Sequence, residues 1–218
     1  MTEEKLQAAD EQQTADAGFT KLEGPPPAVD PESIKTNDLF TSIVHTTFFS
    51  PEQCQAVIDA CESPLWISGE VDSGQINKKL RNCRQQGLMM SEEGWPHTRI
   101  LELIRQANES RYHFDLSGFM NYDAPLILEY SKGCHYNWHI DVGKSVPNRK
   151  LSYTIQLSKP DEYEGGDLEF LGTDVKQEAF RQQGVCIMFP SFLAHKVNKI
   201  KSGKRFSIVG WVHGPTFN

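Results

Sequence analysis

The chain has 218 residues, 38% hydrophobic and 23% charged, enough for one compact domain with a real core or for two small ones. This composition excludes a collagen-like repeat and a disulfide-built mini-protein, and no apolar run approaches the roughly 20 residues that span a bilayer as a helix. The net charge of −7 is uneven: residues 1–38 hold nine acids and three bases, leaving 20 acids and 19 bases beyond them.

In chain order, residues 1–38 contain Gly24-Pro25-Pro26-Pro27 and few large apolar side chains, so they read as a flexible acidic tail that cannot repay the entropy of ordering. The alternative is a tail draped over the body through Phe19, Leu22 and Ile34. Residues 42–49 are β-branched and aromatic and suit a strand. Ser50-Pro51-Glu52-Gln53 supplies an N-cap, a proline at the first helical position and a capping-box glutamine, which predicts a short helix to about Cys61. Apolar residues three or four apart predict a second helix over 96–112. Between them, 69–91 has weak periodicity and four bases, Lys78, Lys79, Arg81 and Arg84; long connections of this kind are commonly functional.

From Phe119 onward the pattern changes to short apolar or alternating segments: 126–131, 136–140, 151–158, 168–171, 175–180, 185–189, 195–200 and 204–213. Many short strands separated by turn residues predict a mostly β sandwich or barrel with the helices packed outside. Gly165-Gly166 suits a tight reversal between strands. Five cysteines (Cys54, Cys61, Cys83, Cys134, Cys186) without CxxC spacing predict free thiols in a reducing compartment. The polar start lacks the apolar segment of a secretory signal, and the expected location is the cytoplasm.

The chemistry concentrates in His139-Ile140-Asp141. On a strand, positions i and i+2 share a face, so the imidazole and the carboxylate can converge. His195, after the apolar segment 185–189 and the turn Pro190-Ser191, is the best third ligand. Two histidines and one carboxylate leave open positions on an octahedral ion, the pattern of non-haem Fe(II) oxygenases; zinc would use the same atom types. Ten residues after His195, Arg205 shares a strand face with Ser207 and Val209. An inward guanidinium there calls for an anion, and its planar fork fits a carboxylate. A dicarboxylic oxoacid would chelate iron at its keto acid end and reach Arg205, helped by Ser207, at the other. The alternative for Arg205 is a surface salt bridge. Tyr130 leads toward the metal strand, with a plain core role as its alternative, and Ser152, Thr154 and Gln156 place three polar groups on one strand face.

Four segments, LEYSKGCHYNWHID (128–141), RKLSYTIQLSKPDEYEGGDLEF (149–170), GVCIMFPSFLAHKV (184–197) and GKRFSIVGWVHG (203–214), resemble the Fe(II)- and 2-oxoglutarate-dependent oxygenases, within them the prolyl 4-hydroxylase-like, PKHD-type group. The resemblance covers roughly residues 43–213. It implies a double-stranded β-helix, or jelly roll, forming a dioxygenase domain over 39–218, with iron on His139, Asp141 and His195. It further implies 2-oxoglutarate and O₂ as co-substrates, the former on Arg205 and Tyr130 with Ser207, Thr154 and Gln156 as further pocket residues; ascorbate binding is an added expectation. Gln156 stands where relatives carry a tyrosine, a departure that leaves its role open. The implied reaction hydroxylates an unactivated C–H with succinate and CO₂ as co-products.

The preferred substrate is a prolyl residue in a peptide or protein, with Arg81 and Trp138 as the substrate-side candidates. Arg81 could grip a carbonyl or acidic group, or belong to a solvated basic face; Trp138 could stack on a proline ring or pack outside, opposite His139. The competing readings are an oxygenase of free amino acids or metabolites, a nucleic-acid demethylase using Lys78, Lys79, Arg81 and Arg84 on phosphate, a catalytically silent jelly-roll binding domain, and a zinc hydrolase, against which stands the lack of an HExxH motif.

Overall fold

The structure, a computed structural model, describes residues 19–20, 44–61, 63–71, 74–88, 95–172 and 177–217. The acidic tail expected over 1–38 thus lies outside the described residues, apart from the backbone of Phe19–Thr20. In chain order the elements open with β1 (Phe19–Thr20), β2 (Val44–Thr47), α1 (Pro51–Asp59), β3 (Ile67–Ser68), β4 (Arg81–Asn82) and β5 (Arg84–Gly87). Next come α2 (Trp95–Ala107), β6 (Phe119–Met120), β7 (Leu126–Tyr130), β8 (His135–His139) and β9 (Arg149–Gln156). The chain continues through β10 (Tyr163–Gly165), β11 (Leu168–Phe170), α3 (Gln177–Arg181), β12 (Val185–Pro190), β13 (His195–Val197), β14 (Ile200–Gly203) and β15 (Arg205–His213).

Two antiparallel sheets carry the fold: a seven-stranded sheet in the order β2-β12-β9-β15-β7-β5-β3 and a four-stranded sheet in the order β11-β13-β8-β4. One cavity is lined from both, as in a jelly roll whose inward side chains meet between two sheets. Strand alternation divides the large sheet's burial. From β9, Leu151, Tyr153 and Ile155 face outward into a core shared with Cys54 and Val57 of α1 and Ile100, Ile104 and Ala107 of α2, while Ser152 and Thr154 face the cavity. Each fully buried aliphatic side chain in that outer core contributes about 1.5–3 kcal/mol. The helices therefore back the sheet and leave its other face to the site.

Local chemistry explains the ends of the helices. Ser50 Oγ accepts from the Gln53 N–H while the Ser50 N–H donates to Gln53 Oε1, the reciprocal cap expected at α1. α2 passes into a π-turn over Asn108–Tyr112 and stops at His113, whose φ of 53° is left-handed. The Tyr112 hydroxyl then donates to Met188 O at 2.8 Å, tying this turn to β12.

Several expectations change. Residues 175–180 were expected to be extended, but Gln177–Arg181 is helical. The segment 195–200 splits into β13 and β14. Gly165 and Gly166 do adopt left-handed φ values of 78° and 69°, yet they do not close a hairpin: β10 pairs with β14 and β11 with β13, so the glycines move the chain from one ladder to another. The weakly periodic stretch 69–91 supplies two short strands, β4 in the small sheet and β5 in the large one. Cys83 lies at the crossing between them.

Candidate active site

Strand pairing explains how residues 56 positions apart in the chain meet. In the β13–β8 ladder His195 stands opposite His139, and the two imidazole centroids are 4.2 Å apart. Asp141 lies at a bend two residues past the end of β8, where its N–H donates to Ser191 O at 2.9 Å and its carboxylate is held beside His139. Nε2 of His139 is 3.6 Å from Asp141 Oδ1, and Nε2 of His195 is 3.6 Å from Oδ2. These gaps are too long for hydrogen bonds. All three donor atoms lie within 4.8 Å of one another.

The surroundings set the chemical state of each group. Nδ1 of His139 lies 2.8 Å from Asn137 O, and Nδ1 of His195 lies 2.9 Å from Leu193 O. A carbonyl only accepts, so each Nδ1 carries the proton and each Nε2 turns a lone pair toward Asp141. Burial pushes the His195 imidazolium pKa down to about 4, against the partly opposing charge of Asp141, so the ring is neutral at pH 7. For Asp141, burial alone would raise the pKa; attraction to His195, which becomes protonated in the acid range where Asp141 titrates, the adjacent His139 and the hydroxyl of Ser152, donating at 2.6 Å to Oδ2, together hold it well below the usual carboxylate range. The set comprises two imidazole nitrogens and one carboxylate, the donors a divalent transition metal takes.

The triad opens on a cavity of about 700 Å³ that also reaches Tyr130, Thr154, Arg205 and Ser207. Arg205 is only 1% exposed, which removes the surface salt-bridge alternative. Its Nη1 donates to Ser207 Oγ at 3.4 Å and its Nε has no hydrogen-bond partner. The guanidinium lies over the Tyr130 ring, 5.4 Å from its centroid. Burial raises the Tyr130 phenol pKa well above the usual range, so it stays a protonated donor. An unpaired buried guanidinium is costly unless an anion meets it, and this one fits a distal carboxylate.

Other candidates fall elsewhere. Gln156 is buried with its Oε1 unpartnered, but it is not part of the cavity wall: the polar face of β9 reaches the site only through Ser152 and Thr154. Trp138 is 44% exposed, outside the cavity, with Lys196 Nζ 4.9 Å from its ring centroid; it sits one residue out of phase with His139. Arg81 is 6% exposed and lines the cavity, which corrects the solvated-face alternative.

Strict alternation also hid Tyr136. The ladder pairs His195 with His139 but Val197 with Tyr136, so β8 holds one extra residue, a bulge that brings both rings inward. Tyr136 stacks on His139 with centroids 3.5 Å apart, and burial pushes its phenol pKa up to about 12. A second group with no sequence signal of its own is Arg149, which makes paired bonds to Asp123, reaches Asp141 O at 3.3 Å and covers Trp211. Asp123 also meets Nε2 of the fully buried His213 at 2.9 Å. This cluster braces the segment that carries Asp141.

The family model of the 2OG-Fe(II) oxygenase superfamily matches residues 125–213, which hold the triad and Arg205. A PKHD-type hydroxylase of Maricaulis maris is 33% identical over 178 residues, covering 78% of this chain and 77% of that protein. The chain belongs to the 2OG-Fe(II) oxygenase superfamily. Within it, this oxygenase falls in the PKHD-type group of prolyl 4-hydroxylase-like dioxygenases; another such hydroxylase, from Janthinobacterium sp., is 29% identical over 168 residues, covering 73% of this chain and 71% of that one. The same fold recurs in a Pseudomonas putida prolyl-4-hydroxylase (TM-score 0.64, 18% identity, 81% of this chain and 96% of that chain). It recurs again in a Trichoplax adhaerens prolyl hydroxylase solved with a hypoxia inducible factor peptide fragment (TM-score 0.66, 18% identity, 82% and 86%). None of the oxygenase's described helices is long and apolar enough to cross a membrane.

Proposed function

We propose that this oxygenase binds Fe(II) through His139, Asp141 and His195, holds 2-oxoglutarate through Arg205 with Tyr130, Ser207 and Thr154, and hydroxylates a prolyl residue of a peptide or protein. The observation that carries the reading is a single cavity with an imidazole–imidazole–carboxylate set at one point and, at another, a buried arginine that forms no ion pair with a carboxylate among the described residues. When bound, iron and the oxoacid supply O₂-driven hydroxylation of an unactivated C–H, with succinate and CO₂ as co-products.

The chain's own residues hold, orient and exclude. The Asn137 and Leu193 carbonyls keep each Nε2 lone pair turned inward, and Ser152 fixes the rotation of the Asp141 carboxylate. The Arg205 guanidinium would hold the far carboxylate of the oxoacid, its planar fork being suited to a carboxylate. Leu168, Phe189, Val197 and Val209 form apolar wall that displaces water from the reacting centre. No general base is required of the protein.

Support for a prolyl substrate comes from the titles of the structural neighbours, which are prolyl hydroxylases, and from the peptide held by the Trichoplax enzyme. A phosphate-binding role fits less well, because Arg81 turns inward and Arg84 pairs with Glu129 at 2.8 Å, which leaves no basic stripe from the four residues. The test is oxygen uptake and succinate release by the Fe(II)-loaded chain, with and without ascorbate, across proline-containing peptides, free amino acids and oligonucleotides. A peptide product heavier by one oxygen supports the reading; turnover confined to another class, or turnover that needs no 2-oxoglutarate, overturns it.

A further inference from the structure

We infer that Arg81 is a second anion-binding element of the cavity and that the molecule to be hydroxylated carries a carboxylate close to its reacting carbon. The inference rests on the oxygenase reading of the same cavity and names the substrate class within it.

Arg81 and Tyr136 are cross-strand partners in the β4–β8 ladder, and both side chains line the cavity. The guanidinium lies over the Tyr136 ring, 4.9 Å from its centroid, and Tyr136 stacks on the candidate iron ligand His139. A group bound at Arg81 is therefore one aromatic ring away from the triad. Nη1 donates to Glu70 O at 2.7 Å, fixing the direction of the fork, while the buried Nε makes no hydrogen bond to nitrogen or oxygen among the described residues and the neighbouring Cys83 thiol, a weak acceptor whose own pKa burial raises, does not neutralise the charge. No carboxylate among the described residues forms an ion pair with it. The other arginines buried in or near the wall differ: Arg149 is matched by Asp123, and Arg205 is assigned to the co-substrate.

A cation at 6% exposure without a counter-ion is retained at a cost that an arriving anion removes. A neutral carbonyl would accept one of its hydrogen bonds but leave the charge uncompensated. A carboxylate accepts through two oxygens and cancels the charge, with the planar fork setting its orientation. The chemical class is therefore an acidic residue beside the target, or the terminal carboxylate of a short peptide or free amino acid.

The carboxylate of 2-oxoglutarate is the other source of this chemistry, and the experiment separates the two. The full chain, loaded with Mn(II) in place of Fe(II) and with 2-oxoglutarate, is titrated calorimetrically with matched pairs: acetyl-prolyl-aspartate against acetyl-prolyl-asparagine, prolyl peptides as acids against their amides, and proline against prolinamide. Wild-type protein is expected to favour the anionic member of at least one pair by tenfold or more. Arg81→Gln reduces that preference to within about twofold, Arg81→Lys keeps part of it, and both variants bind 2-oxoglutarate in the absence of a second ligand as wild type does. Equal binding within every pair, including failure of both members, overturns the inference, as does a preference that survives Arg81→Gln. Loss of 2-oxoglutarate binding in Arg81→Gln also overturns it, by moving Arg81 to the co-substrate. Failure of the oxygenase reading itself would show separately, as wild-type protein that does not bind 2-oxoglutarate at all.

Discussion

Replacing Arg205 with methionine separates a residue that builds the fold from one that waits for a ligand. The guanidinium is 1% exposed, its Nε is unpartnered among the described residues and its donation to Ser207 is a long bond. Exchanging a buried ion pair for apolar side chains of similar volume is commonly neutral or stabilising by about 1–4 kcal/mol, and a guanidinium without a carboxylate partner carries the desolvation cost without the pair's attraction. The ligand-free Arg205→Met protein should therefore melt at or above the wild-type temperature. Binding should move the other way, because removing one partner of a buried, hydrogen-bonded charge pair costs about 3–5 kcal/mol, which weakens 2-oxoglutarate by roughly 10²–10³-fold or more. With 2-oxoglutarate at about 100 times the wild-type Kd, wild type gains about 2.7 kcal/mol, or roughly 5–11 °C for a domain of this size. The variant at the same concentration gains about 2 °C or less. Thermal melts with Mn(II), with and without 2-oxoglutarate, measure both quantities. A variant that keeps the full shift would place the anchor elsewhere. A ligand-free variant that melts many degrees lower would make Arg205 a satisfied structural residue.

Ser152→Ala removes the hydroxyl that orients Asp141 and should weaken divalent-metal affinity by roughly 10–100-fold with the fold intact, measured by competition with a chelating dye. Gly184→Ala should destabilise sharply: φ is 78° and an added Cβ would sit 1.9 Å from Phe49 O. Left-handed strain alone costs about 1–2 kcal/mol, and the clash adds to it; urea denaturation reads the loss. In metal-free protein the His195 pKa is about 4 when folded and near 6.5 when unfolded. The unfolded chain then binds more protons between those values, so stability is full above about pH 6.5 and falls as pH drops toward 4. His195→Gln should flatten that slope in urea melts run across the window.

How far the sequence carries depends on whether a signal is local. The capping box at Ser50 and the alternation through 204–213 set α1 and β15 almost to their bounds, because caps and two-residue periodicity are local physics. The i, i+2 spacing of His139 and Asp141 holds for the same reason, as does the shared face of Arg205, Ser207 and Val209. What escaped depends on tertiary context. The polar run Arg81–Gly87 forms strands because neighbouring edges accept its backbone bonds. Tyr136 joins the site through a bulge that strict alternation does not foresee, and Asp123, Arg149 and His213 meet only once three separate segments fold together. Gln156 shares the parity of Thr154 but lies beyond the cavity, a matter of where the wall ends.

The central claim is that two imidazoles and one carboxylate hold a single ion with room left beside it. Anomalous diffraction from crystals grown with Mn(II) and 2-oxoglutarate tests it most directly. The predicted result is one ion per chain bonded to Nε2 of His139, a carboxylate oxygen of Asp141 and Nε2 of His195, with the oxoacid bridging from that ion to Arg205. An ion bound at other residues, or a fourth protein donor closing the coordination shell, would contradict the account.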